Sequence, residues 1–149
     1  MNDVDKLVRD RVRMLIFAAF SFGLWQFASV LENTLQTNKE GMTHLFIGLK
    51  MIGGLCWIIA SYFIFAFSRK VKRAKAIDPL NDELTEKNRA KAFSVGFTCL
   101  FILVWLLYLA TDLWSFNIAS ALQVVGTLGA IIPIGYFAAL ELKNDWGAN

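Results

Sequence analysis

The chain has 149 residues, enough for one domain, and 56% of them are hydrophobic with a positive mean hydropathy, which excludes an ordinary soluble domain. Its formal net charge is +3, yet nucleic acid is not the expected partner. Every Lys and Arg except Lys39 and Lys50 falls in an N-terminal segment, a central segment or the C-terminal tail, where anionic lipid is the expected neighbour.

Residues 2–13 offer an N-cap at Asn2 or Asp3 and set Val4, Leu7, Val8 and Val12 at helical spacing, with Asp5 and Arg9 four apart on the polar side. This predicts a short helix lying in the membrane interface and running into a first span at about 14–32, with Arg9, Arg11 and Arg13 on the cytoplasmic side. The apolar run exceeds a usual signal-peptide core and no convincing small-x-small cleavage site follows it before Glu32, so a retained span is expected.

A short polar stretch, Thr34 to His44, leads to a second span at about 45–67, interrupted only by Lys50. A charged cytoplasmic segment follows at 68–92, with Arg69, Lys70, Lys72, Arg73 and Lys75 at its head and Lys87, Arg89 and Lys91 at its tail. Such a segment does not cross a bilayer, and its basic excess sets the orientation. Within it, Asp78 before Pro79 reads as the start of a helix continuing from Leu80 through Lys91 into a third span at about 93–112. A tight turn at 113–117 separates that span from a fourth at about 118–140, so these two should be antiparallel neighbours. The expected fold is therefore all-α: an integral membrane four-helix bundle, one domain over 1–149, with both termini cytoplasmic and a helical extension of span three.

Small residues suggest where helices approach. Gly53 and Gly54 in span two, and the pairs Gly126 with Ala130 and Gly135 with Ala139 in span four, have the spacing that permits close backbone packing. Pro133 marks a kink in span four. The same packing signature makes a homo-oligomer an expected partner state. Cys56 and Cys99 form no C-x-x-C pair and read as packing residues.

Lys50 is the most informative residue inside a span, because an intramembrane lysine needs a partner or a route to water. It shares a helical side with Gly53, Gly54, Trp57 and Ser61. Depth offers Glu32, Asp112, Gln26 and Gln123 as companions in an outward-facing polar pocket; the alternative is that Lys50 reaches the interface and the glutamines bond between helices. Trp25, Trp57 and Trp105 fall near mid-span, which suits helix packing and also an aromatic-lined lipophilic site.

Enzyme chemistry is not expected. His44 is the only histidine, so paired-histidine haem ligation and a histidine metal cluster are ruled out, and there is no G-x-S-x-G, no phosphate loop and no carboxylate in mid-membrane. No catalytic residue, metal or cofactor is assigned. The favoured reading is a non-enzymatic membrane regulatory or accessory protein that engages anionic lipid or a protein partner through the basic segment. A small transporter, channel or ligand-binding subunit using the outer polar residues is the alternative, and immunity to a membrane-active toxin is a third.

The layout of four spans around a central stretch reading DPLNDELTEKNRAKAF resembles small four-span bacterial inner-membrane proteins of uncharacterised function, often encoded beside helix-turn-helix regulators. The resemblance implies a bacterial inner-membrane location and a regulatory role for the cytoplasmic face. It transfers no functional residue.

Overall fold

The computed structural model describes residues 3–35, 40–73, 80, 82–110 and 117–147. They form four helices: α1 (Asp3–Leu35), α2 (Glu40–Arg73), α3 (Glu83–Ala110) and α4 (Ile118–Gly147). Each contains a stretch long and apolar enough to cross a membrane. Each also continues past its apolar stretch into charged residues, and Lys, Arg and Glu are good helix formers.

Packing is extensive between α1 and α2, between α1 and α4, and between α3 and α4. Helices α1 and α4 thus form the centre, with α2 and α3 on their flanks. Side-chain pairs show that neighbours run antiparallel: Asp10 meets Lys70 while Glu32 meets Lys50, and Arg11 meets Glu141 while Gln26 meets Gln123. One end of the molecule therefore carries the basic residues of all four helices apart from Lys50, and is called the basic end below.

The flanking helices turn large apolar side chains outward. Met51, Leu55, Ile58 and Tyr62 on α2, and Phe93, Phe97, Phe101, Leu106 and Tyr108 on α3, are all more than half exposed. A patch this continuous has no stable place in water. The buried interior is built instead from small groups, including Ala18, Ala28, Ala60, Ala92 and Ala138, which let the helix axes come close.

The close approaches are made largely by glycines other than those the spacing suggested. A Cβ on Gly53 would fall 2.6 Å from the backbone nitrogen of Trp25, so α1 and α2 touch backbone to backbone there. Gly96 lies against the ring of Pro133, where an added Cβ would sit 3.0 Å from ring carbons. Gly23 faces Ile131 and Gly129 faces Leu100. Gly126 and Gly135 meet nothing within 4 Å, and Ala139 is exposed. Gly54 makes only an ordinary contact with the Trp25 indole.

Two further expectations change. The N-terminal segment does not form a short helix of its own: α1 is continuous from Asp3, and its first turns pack into the molecule. Leu7 is buried against Leu80, with Val8, Phe67 and Val71 around them. Second, the helix reaching Lys91 does not run unbroken from Leu80. It starts at Glu83 behind Asp82, whose carboxylate accepts the Thr85 N–H at 2.8 Å while its carbonyl accepts the Glu86 N–H at 3.0 Å. Asp78 and Pro79 lie outside the described residues, as do Asn2, Lys39, Lys75, Asp112, Trp114 and the turn at 113–116, and the side chains of Asp3, Asp5 and Trp146.

Candidate functional site

At the basic end, Arg11 on α1 is held from three directions. Its Nη2 pairs with the Glu141 carboxylate on α4, and its Nη1 donates to the Leu80 carbonyl at 2.8 Å. Its guanidinium also lies 5.5 Å from the centre of the Phe137 ring. The second Glu141 oxygen accepts from the Asn88 amide of α3 at 3.0 Å. The two charged side chains are only 12% and 5% exposed. Three helices and the segment between α2 and α3 are thereby tied at one point. Breaking such a pair from one side strands a charge where water cannot reach it.

Sequence reasoning missed this network. Arg11 read as one of three basic residues marking a membrane side, and Glu141 as part of a polar tail. One signal was present: Glu141 follows directly on the apolar run of span four, and a carboxylate in that place needs a partner.

Around the network lies a collar of basic side chains. Arg69, Lys70, Lys72 and Arg73 belong to the last turns of α2, and Lys87, Arg89 and Lys91 to the first turns of α3, all exposed. Lys6, Arg13 and Lys143 are exposed at the same end. Several are lightly tethered: Lys70 to Asp10 at 3.3 Å, Lys87 to Glu83 at 3.9 Å, and Arg69 over the Phe65 ring at 4.4 Å. Such exposed contacts hold a side chain weakly and leave its charge available to solvent or headgroups. The extension of α3 is not a free arm, since Thr85, Asn88 and Ala92 are buried along one side of it.

Asp82 lies beside the collar. Its carboxyl is held below the usual range by the Thr85 backbone N–H, then by the Thr85 side chain, with the Arg11 charge adding a smaller effect.

Clefts open at this end, each joining an apolar trough to basic side chains. One of about 440 Å³ runs between α1 and α2, lined by Met14, Phe17, Phe63 and Phe67 below Arg13 and Lys70. A second of about 540 Å³ lies between Phe67 of α2 and Phe93 of α3, over Leu15, Ala130 and Pro133, with Arg11 and Arg89 in its lining.

The opposite end holds the polar residues grouped by depth. The Lys50 ammonium pairs with the Glu32 carboxylate across α1 and α2, with the two side chains 33% and 25% exposed. Gln123 Nε2 donates to Gln26 Oε1 at 2.8 Å across α1 and α4. These are two contacts on different sides of α1, and Asp112 lies outside the described residues. The aromatic residues divide as well. Phe22 stacks between Trp25, at 6.4 Å, and Trp57, at 5.0 Å, inside the α1–α2 contact, whereas Trp105 is exposed on α3 beside Phe101 and Tyr108. The three tryptophans therefore do not line one site.

Among the described residues, no group of His, Cys, Asp and Glu side chains is placed to hold a metal ion. Comparison with family models, curated proteins and solved structures finds no significant match, so the functional reading rests on the chain's own residues.

Proposed function

We propose that the protein is a non-enzymatic, multi-pass membrane accessory protein of the bacterial inner membrane, with both termini cytoplasmic, which engages anionic lipid headgroups through its basic end. The observation that carries this reading is the coincidence of the exposed basic collar with the ends of four helices long and apolar enough to span a bilayer. With the helices in lipid, the collar stands at headgroup level, where each Lys or Arg near an anionic surface contributes about 1 kcal/mol. The positive-inside rule puts that face in the cytoplasm. The outward phenylalanines and leucines of α2 and α3 then meet acyl chains.

Anionic lipid is favoured over a dedicated protein-docking arm because the α3 extension already spends one side on the molecule itself. A regulatory role follows if the collar's occupancy changes with leaflet composition. The test is a fourfold charge reversal, Arg69→Glu, Lys70→Glu, Lys72→Glu and Arg73→Glu, reconstituted in bilayer discs of mixed composition. The expected result is loss of acidic-phospholipid enrichment around the protein with insertion intact. Unchanged enrichment would refute the reading, and release of a co-purifying protein with unchanged lipid would replace it with docking.

A further inference from the structure

The groove between α1 and α2 carries both signs of charge in a fixed order. Asp10, Arg13 and Phe17 line it from α1, and Lys70, Ala66 and Phe63 from α2, each set spaced to fall on one side of its helix. Asp10 and Lys70 meet at 3.3 Å, which sets the antiparallel register and marks the rim of the groove at the basic end. Arg13 stands about one turn further in, level with Ala66, and makes no ion pair among the described residues. Phe17 and Phe63, 38% and 53% exposed, line the deepest part, about 10 Å along α1 from Asp10.

The contact at the rim is loose, because the Lys70 and Asp10 side chains are 56% and 38% exposed. Asp10 uses one carboxylate oxygen on Lys70, and a carboxylate has two oxygens with room for further donors. A second N–H can therefore be received without displacing Lys70. The Arg13 guanidinium is a planar fork that matches phosphate oxygens, and the small Ala66 across from it leaves space between the helices. From the rim inward the order is carboxylate, guanidinium, aromatic trough. A phospholipid whose headgroup ends in a primary ammonium has the matching order: ammonium, phosphate, acyl chain. A trimethylated ammonium has no N–H to give Asp10, and a glycerol headgroup offers it only neutral hydroxyls, whose hydrogen bonds lack the strength that a charged donor adds.

We propose that this groove binds a single zwitterionic phospholipid of the ethanolamine type, its phosphate on Arg13, its ammonium on the Asp10 carboxylate and one acyl chain between Phe17 and Phe63. The volume of about 440 Å³ falls within the range of about 300–1,000 Å³ usual for small-ligand pockets. A lipid seated here adds a second link between α1 and α2 beside the Asp10–Lys70 contact. The site rests on the placement of the four helices in lipid, but not on the attraction of the collar to acidic headgroups. It selects by the presence of N–H donors beyond the phosphate, whereas the collar selects by net charge.

The test uses the full-length protein in bilayer discs of one constant composition, each doped with a trace of photoactivatable lipid. The reactive group sits on one acyl chain, and the headgroup is ethanolamine, choline or glycerol. After irradiation, adducts are mapped by peptide mass spectrometry, with the outward Phe97 and Phe101 of α3 as the reference. Labelling at Phe17 and Phe63 should be about threefold stronger with the ethanolamine lipid than with the choline lipid, the size of an exposed ionic contact. The glycerol lipid should not exceed the ethanolamine lipid there. Asp10→Ala should remove the preference for ethanolamine over choline, Arg13→Gln should lower groove labelling by all three lipids, and Ala66→Phe should block it while the reference adducts persist. Equal groove labelling by ethanolamine and choline lipids, stronger labelling by the glycerol lipid, or a preference that survives Asp10→Ala would overturn the site. Such a result with acidic lipid still enriched around the protein overturns the groove alone. An ethanolamine preference in the groove without acidic enrichment overturns the wider reading and leaves the groove standing.

Discussion

Arg11 and Glu141, 130 positions apart in the chain, form a buried ion pair that joins the first helix to the last. Through the Leu80 carbonyl and the Asn88 amide the same pair reaches the connecting segment and the third helix. The basic end is therefore a fixed platform, and the collar residues project from it at set positions.

The pair makes a stability prediction with a clear pattern. Arg11→Met or Glu141→Gln alone strands one charge and should cost about 3–5 kcal/mol. The double variant, Arg11→Met with Glu141→Leu, should recover much of that loss because no charge is left unpaired. Thermal unfolding in detergent reads all three, and additive losses would contradict the pairing.

Helix contact makes the second. At Gly53 an added Cβ would sit 2.6 Å from the Trp25 nitrogen, and neither backbone can yield locally. Gly53→Ala should destabilise the protein by about 1–3 kcal/mol, the usual cost of overpacking. Gly126→Ala meets open space and should be near neutral. A reversal of that order would place α1 against a different side of α2.

The Lys50–Glu32 pair supplies a contrast with the first prediction. Its side chains are a quarter to a third exposed, so Glu32→Gln should cost no more than about 1 kcal/mol. The same exposure predicts that Lys50→Cys reacts with a membrane-impermeant thiol reagent added from the side opposite the basic end. Complete inertness would show that position 50 is sealed from water.

Acid should loosen the start of α3. The Asp82 carboxyl is held below its ordinary value of 3.8, so its cap contributes fully above that pH and is lost as pH falls through the lower folded value. Asp82→Ala should cost about 1 kcal/mol at neutral pH, whereas Asp82→Asn should keep the cap and lose the pH dependence. Hydrogen exchange at the Thr85 amide measures both. Equal protection in wild type and Asp82→Ala would contradict the assignment.

How much of this was legible in the chain differs from residue to residue. The four apolar helices and the antiparallel α3–α4 pair follow from run length and a short turn, which are local properties. Lys50 stood out for the same kind of reason, since a lone cation in an apolar run is conspicuous wherever its partner lies. Arg11 and Glu141 were hidden because each sits where polar residues are ordinary, and only the fold brings them together. The glycines show a different limit. Spacing marks which residues permit close approach, but which side of α4 turns toward α1 and α3 depends on the fit of Pro133, Ile131 and Leu100 against Gly96, Gly23 and Gly129. At the start of α3, Asp82 is the cap, with its carboxylate on the Thr85 N–H, while Asp78 lies outside the described residues.

The most direct test of the account is the lipid that leaves the membrane with the protein. Excised in polymer-bounded discs without detergent, the wild-type protein should carry acidic phospholipid well above its share of the surrounding membrane, and the fourfold charge reversal on α2 should carry only the bulk proportion. Wild-type discs with the bulk lipid composition would contradict the central claim.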